Sequence, residues 1–151
     1  MDLLKKLNFK SQSKIHIINY PDEFSEALND IKSQVTVIEK FDKSEIEFSL
    51  LFVKTIDELV KSATIAIPKL TDGGLLWFAY PKKSSKKYKS ELTRDEGWKV
   101  LADNNFEPVR MIAIDEDWSA VRYKRVDDIK TMKRSTAMST AGKHRIEKVK
   151  Q

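Results

Sequence analysis

The sequence predicts a three-layer α/β domain, and three observations carry that prediction. Leu75 to Pro81 are seven consecutive apolar residues behind Gly73-Gly74, and a run without polar alternation suits a strand buried on both faces, as in parallel sheets covered by helices. β-branched runs alternate with segments whose apolar residues recur at helical spacing, which is the signature of strand-helix-strand units. The last two runs, Val109 to Ile114 and Trp118 to Lys124, are separated only by Asp115-Glu116-Asp117. That link is too short for a crossover helix, so these two strands must pair antiparallel.

In chain order, Leu3, Leu4 and Leu7 form a short amphipathic segment that packs outside the domain. Lys14 to Asn19 is the first strand, and Tyr20-Pro21-Asp22 turns into a helix presenting Phe24, Ala27, Leu28 and Ile31, with Asp22 as its cap. Val35 to Ile38 is the second strand, Glu39 to Glu47 a charged connection, and Phe48 to Val53 the third strand. Thr55 caps the next helix, whose Asp57 and Glu58 favour its dipole, and Pro68 with Gly73-Gly74 ends it before the central strand. Thr93 is expected to cap a helix running through Asn104.

Composition sets limits. The 151 residues, 40% of them hydrophobic, suffice for one domain with a core. The absence of cysteine excludes disulfides and thiolate chemistry. The opening residues lack the apolar run of a signal peptide and nothing approaches a membrane span, so a cytoplasmic protein without a membrane partner is expected. Nine Lys/Arg against three Asp/Glu from Lys124 to Gln151 exceed the chain's net charge of +5, which leaves residues 1 to 123 at −1. Lys82 to Arg94 form a second basic island, with six Lys/Arg and one acid. The domain is expected to span 1–124, followed by a separable basic tail, 125–151, that is disordered or partly helical. Loop and tail could each hold nucleic acid or an acidic protein through phosphate or carboxylate neutralisation.

The alternating units, the turn Leu70-Thr71-Asp72-Gly73-Gly74-Leu75-Leu76 into a central strand, and the closing hairpin resemble class I S-adenosylmethionine-dependent methyltransferases. Tyr80-Pro81-Lys82-Lys83-Ser84, with Ala113-Ile114-Asp115-Glu116-Asp117-Trp118-Ser119-Ala120-Val121-Arg122, is similar to an uncharacterised bacterial family of small Rossmann-like domains resembling truncated members of that class. The resemblance covers residues 14 to 124 and implies a Rossmann-like sheet of about six strands in the order 2-1-3-4-6-5, strand 6 antiparallel. It implies no particular reaction.

Those methyltransferases place a glycine-rich turn after the first strand. Here the turn is Asn19-Tyr20-Pro21-Asp22-Glu23, without glycine, and Tyr20 and Pro21 stand where a cofactor would lie, so no cofactor is expected. Glu39 sits at the end of the second strand, where such folds hold a ribose, but as a lone carboxylate without a glycine turn it reads as a surface glutamate. No phosphate loop, nucleophile elbow or paired-histidine motif occurs, His16 and His144 are too far apart in the chain to read as a metal pair, and no catalytic residue or metal is assigned. A lone histidine in an apolar strand, as His16 is, reads as a structurally satisfied core residue.

Topology still marks an edge, because open α/β sheets bind ligands beyond the carboxyl ends of their strands. The candidate ligand edge is Tyr80, Lys82, Lys83, Asp115, Trp118 and Ser119, with the lysines binding an anion and Trp118 stacking. The bland reading has Trp118 plugging the sheet while Asp115 caps its own turn and pairs with Lys82. The expectation from sequence is therefore a non-enzymatic binding or interaction module without a functional S-adenosylmethionine site. The alternative is a small-ligand (anion or nucleotide-like) binding protein or enzyme using the Lys82/Asp115/Trp118 edge.

Overall fold

The computed structural model describes residues 3–93 and 95–129. Among the described residues, four α-helices and six strands follow one another: α1 (Leu3–Lys6), β1 (Lys14–Ile18), α2 (Ser25–Lys32), β2 (Thr36–Ile38), β3 (Ile46–Phe52), α3 (Ile56–Ala66), β4 (Leu70–Pro81), α4 (Lys99–Asp103), β5 (Phe106–Ala113) and β6 (Trp118–Arg125). The strands form one six-stranded sheet in the order β2-β1-β3-β4-β6-β5, with β6 antiparallel to both neighbours, as the resemblance implied.

The apolar run sits where its composition requires. β4 lies between β3 and β6, and Leu75 to Pro81 are buried without interruption. Alternate residues of that run serve opposite faces. Leu76, Phe78 and Tyr80 join the core beneath α3, with Trp98 and Leu101, while Leu75, Trp77 and Ala79 join the core shared with α1 and α2. The Trp77 indole N–H donates to the Leu7 carbonyl at 2.9 Å. This bond pins the amino-terminal segment to the sheet, where Leu4 and Leu7 are buried.

Three local expectations fail, each for a visible reason. Asp22 makes no side-chain cap; it opens a single 3₁₀ turn, and α2 begins at Ser25. Thr93 does not cap a long helix. Its hydroxyl accepts the Asp95 and Glu96 N–H groups in a turn, and Gly97, at φ 100°, breaks the chain's helical path, so that α4 has only five residues. β4 starts at Leu70 rather than after the glycines, because Thr71 to Gly74 bulge out of the ladder between the pairs Ile46/Leu70 and Phe48/Leu75. Gly73 adopts φ 74°, and a Cβ on Gly74 would stand 2.9 Å from the Ile46 carbonyl oxygen. Thr55, in contrast, forms the full capping box with Glu58. β6 continues to Arg125 and Val126 is buried, while the basic tail from residue 130 on lies outside the described residues.

Candidate functional site at the carboxyl ends of the strands

In antiparallel register Tyr80 faces Ser119, and Pro81 faces Trp118. Because side chains alternate across a sheet, the expected edge residues divide between its two faces. Tyr80, Lys82, Lys83 and Ser119 line an open cavity of about 460 Å³ on the α3 side. Thr93, Asp95 and Glu96 also line it, and Met111, 42% exposed, is its apolar residue. The Tyr80 hydroxyl lies 3.7 Å from the Met111 sulfur. Neither Lys82 nor Lys83 has an ion-pair partner among the described residues. Two lysines and two acidic residues thus line one open cavity, which suits a small ligand carrying an anionic group and a hydrogen-bond donor or cation.

Trp118 and Asp115 are not in that cavity. Trp118 is 2% exposed on the other face, edge-on to Phe52 at 5.2 Å, and its indole N–H points to Glu23 at 3.4 Å. Asp115 accepts the backbone N–H groups of Asp117 and Trp118, both at 2.8 Å, and so caps its own turn. It makes no ion pair with Lys82 among the described residues. Sequence reasoning placed Trp118 beside Tyr80 because their strands are neighbours; the parity of the register separates them.

The basic loop is fastened down. Lys82 N–H donates to the Asp117 carbonyl at 2.7 Å, and the Ser85 hydroxyl donates to the Asp117 carboxylate at 2.8 Å. Tyr88 packs 5.2 Å from Trp118 and donates its hydroxyl to Glu23. Lys87 pairs with Glu23 at 3.5 Å, and the Lys54 and Lys87 ammonium groups lie 5.6 and 5.5 Å from the Tyr88 ring centre. The bond to Glu23 pushes the Tyr88 phenol up to about 12. Burial works against the Glu23 charge, yet the Tyr88 and Trp118 donors and Lys87 hold its carboxyl below the usual range.

At the β1 end, Asn19 takes φ 63°, a left-handed conformation glycine would otherwise supply. Its amide donates to the Phe52 carbonyl at 3.0 Å, tying the ends of β1 and β3 together. Next to it the Tyr20 hydroxyl donates to Glu39 at 2.5 Å, and Lys32 pairs with Glu39 at 3.0 Å. The hydrogen bond from Tyr20, then Lys32, lowers the Glu39 pKa, and the same bond raises that of Tyr20. Glu39 therefore stands at the end of β2 as a charged acceptor already holding a hydroxyl.

His16 is only partly satisfied. It is 1% exposed, its Nε2 lies 3.5 Å from the Ser44 hydroxyl and 3.8 Å from Asp42, and its Nδ1 is buried with no hydrogen-bond partner among the described residues. Burial lowers its pKa, Asp42 opposing. Among the described residues no group of His, Asp or Glu is placed to hold a metal ion, and no helix is long and apolar enough to cross a membrane.

No protein-family model matches this chain. No curated protein matches it either. Solved structures do. The N-methyltransferase NodS from Bradyrhizobium japonicum WM9 is similar over 82% of this chain and 92% of its own, at 12% identity and a TM-score of 0.53. DhpI, solved as a complex with SAH, is similar over 82% of both chains at 6% identity and a TM-score of 0.53. The pyocyanin biosynthetic protein PhzM is similar over 82% of this chain and 53% of its own, at 9% identity and a TM-score of 0.55. At such identities the likeness is one of fold, the class I methyltransferase-like Rossmann sheet. It nevertheless corrects two expectations. The non-enzymatic module without an S-adenosylmethionine site, and the reading of the chain as no enzyme, do not stand beside neighbours of nearly the same extent that are named as a methyltransferase and as an SAH complex.

Proposed function

We propose that this chain is a small-molecule enzyme of the methyltransferase-like class, which takes an anionic substrate in the cavity of Tyr80, Lys82, Lys83 and Ser119. The observation that carries the reading is that cavity: two ammonium groups without ion-pair partners among the described residues, at the carboxyl end of the central strand, where this fold binds ligands. Lys82 and Lys83 would hold the anionic group, the Ser119 hydroxyl would orient it, and Asp95 or Glu96 would accept a donor from the other end of the substrate.

The fold class implies S-adenosylmethionine, and the donor set at the β2 end fits it. Glu39 Oε1 already accepts a hydroxyl from Tyr20, the bond a ribose hydroxyl would make, and left-handed Asn19 shapes the turn. Glu39 would hold the ribose, with Tyr20 as the group displaced. The cofactor supplies a methyl group on a sulfonium, ready for transfer to a nucleophile. The chain's own part is to bind and orient, and to limit access of water from the Trp118 side, where Tyr88 closes the edge over Glu23. Membership of the bacterial family of small Rossmann-like domains, and a cytoplasmic setting, belong to the same proposal.

The test is a calorimetric titration with SAH of the wild-type chain and of Glu39→Gln, followed by a thermal-shift screen of small carboxylates and phosphates on Lys82→Ala/Lys83→Ala. SAH at 100 times its Kd should stabilise the wild-type fold by about 2.7 kcal/mol, and Glu39→Gln should weaken binding at least tenfold. Absence of SAH binding, together with anion binding that the lysine substitutions leave unchanged, overturns the reading.

A further inference from the structure

The opposite end of β4 carries a second cavity on the opposite face. It has a volume of about 280 Å³. One wall is the bulge at Gly73 and Gly74; another is Asn8, Lys10 and Gln12, held there by the bond from Trp77 to Leu7; the third is β6 at Arg122 and Lys124. Among the described residues, no acidic side chain lines it. Asp72, next to the bulge glycines in the chain, and the fully buried Glu107, opposite Lys124 in the ladder, are in none of these walls.

Arg122 is the centre of this site. Its guanidinium lies 6.0 Å from the centre of the buried Trp77 ring, and its Nε is buried without a hydrogen-bond partner among the described residues. Directly opposite it in the ladder stands Arg110, a like charge where a sheet would be better served by an acid. Burial, and then Arg110, lower the Arg122 pKa, although guanidinium remains charged at any physiological pH. None of Lys10, Arg110, Arg122 or Lys124 has an ion-pair partner among the described residues. A part-buried, unpaired guanidinium among like charges is costly unless an anion compensates it.

We propose that this cavity binds the phosphate group of a small phosphate monoester. A dianion answers several convergent cations better than a carboxylate does, and guanidinium plus ammonium groups are the usual phosphate partners. The volume lies just below the range typical of drug-sized ligand pockets, which suits a small metabolite rather than a polymer threading through. The bulge matters here because it moves Gly73 and Gly74 out of the ladder, and both then line the cavity together with Arg122. The site is independent of the cavity at the carboxyl end.

The experiment is an amide chemical-shift titration at constant ionic strength with glycerol 3-phosphate, with glycerol and sodium chloride as controls. The expected result is saturable shifts at Gly73, Gly74 and Arg122 to Lys124 with glycerol 3-phosphate alone, and at least tenfold weaker binding in Arg122→Gln. Since Arg122→Gln could perturb the sheet, Lys10→Ala/Lys124→Ala, two positions outside the core, is measured beside it and should also weaken binding at least tenfold with an unchanged melting temperature. Shifts reproduced by sodium chloride, or an affinity unchanged in the folded lysine variant, overturn the proposal. So does a single-stranded oligonucleotide that binds these residues more tightly than the monoester.

Discussion

The two ends of β4 are built from the same strand by different means. At the carboxyl end, the acids are compensated, Glu23 by Lys87, Tyr88 and Trp118 and Glu39 by Lys32 and Tyr20, while Lys82 and Lys83, without ion-pair partners among the described residues, share their cavity with Asp95 and Glu96. At the amino end, Lys10, Arg122 and Lys124 line the cavity, Arg110 stands opposite Arg122 in the ladder, and no acid lines the cavity among the described residues. The first end can receive a ligand of mixed charge while its edge stays closed by its own side chains. The second is incomplete electrostatically without an anion. Each end is anchored by one tryptophan on the same face of the sheet, Trp118 and Trp77.

The largest expected effect compares those anchors. Trp118→Ala should lose about 3 to 5 kcal/mol, the cost of deleting a large buried aromatic, and should also release Tyr88. Trp77→Phe, which keeps a ring but removes the donor to Leu7, should lose about 1 to 3 kcal/mol through an unsatisfied carbonyl. Urea unfolding measures both. A loss under about 1 kcal/mol for Trp118→Ala would break the picture of a closed carboxyl edge.

Next comes the bulge. Gly74→Ala brings a Cβ to 2.9 Å from a backbone oxygen that cannot swing away, so about 1 to 3 kcal/mol of strain is expected. Gly73→Ala meets no neighbour but must hold φ 74°, at a cost of about 1 to 2 kcal/mol. If both substitutions are neutral in thermal melts, the bulge does not have the geometry described and the amino-end wall is lost with it. A smaller effect belongs to Thr55→Ala, which removes half of a capping box and should lose about 1 kcal/mol without touching either end.

The sheet was legible in the sequence because its cause is local: seven apolar residues allow one environment, and a three-residue link allows only a hairpin. The sites were less legible because they depend on parity and on distant partners. Trp118 and Tyr80 lie on adjacent strands, but the register pairs Trp118 with Pro81 and sends it to the other face. Asp95 and Glu96 were read as the first turn of a helix, and Gly97 was the signal that they belong to a turn. Lys10 and Arg122 are far apart in the chain, and nothing local announces that Trp77 binds Leu7 and thereby brings them together.

The smallest effect expected concerns pH. The folded pKa of His16 is lowered from the ordinary value of 6.5, chiefly by burial. The unfolded chain therefore binds this proton more readily, so its contribution to stability is intact above pH 6.5 and declines as the pH falls through 6.5 towards the lower folded value. In His16→Phe this part of the decline should vanish. Equal slopes for the two proteins between pH 7 and 5 in urea titrations would show that His16 is not buried as the neutral form.

The most direct measurement is one amide shift map of the full chain, titrated first with SAH and then with glycerol 3-phosphate. The account predicts two separate sets: SAH moves Asn19 to Phe24, Glu39 and Lys82 to Tyr88, while the phosphate monoester moves Gly73, Gly74 and Arg122 to Lys124, and saturating one leaves the other free to bind. Shifts from both ligands at the same end of β4, or none from SAH, would contradict it.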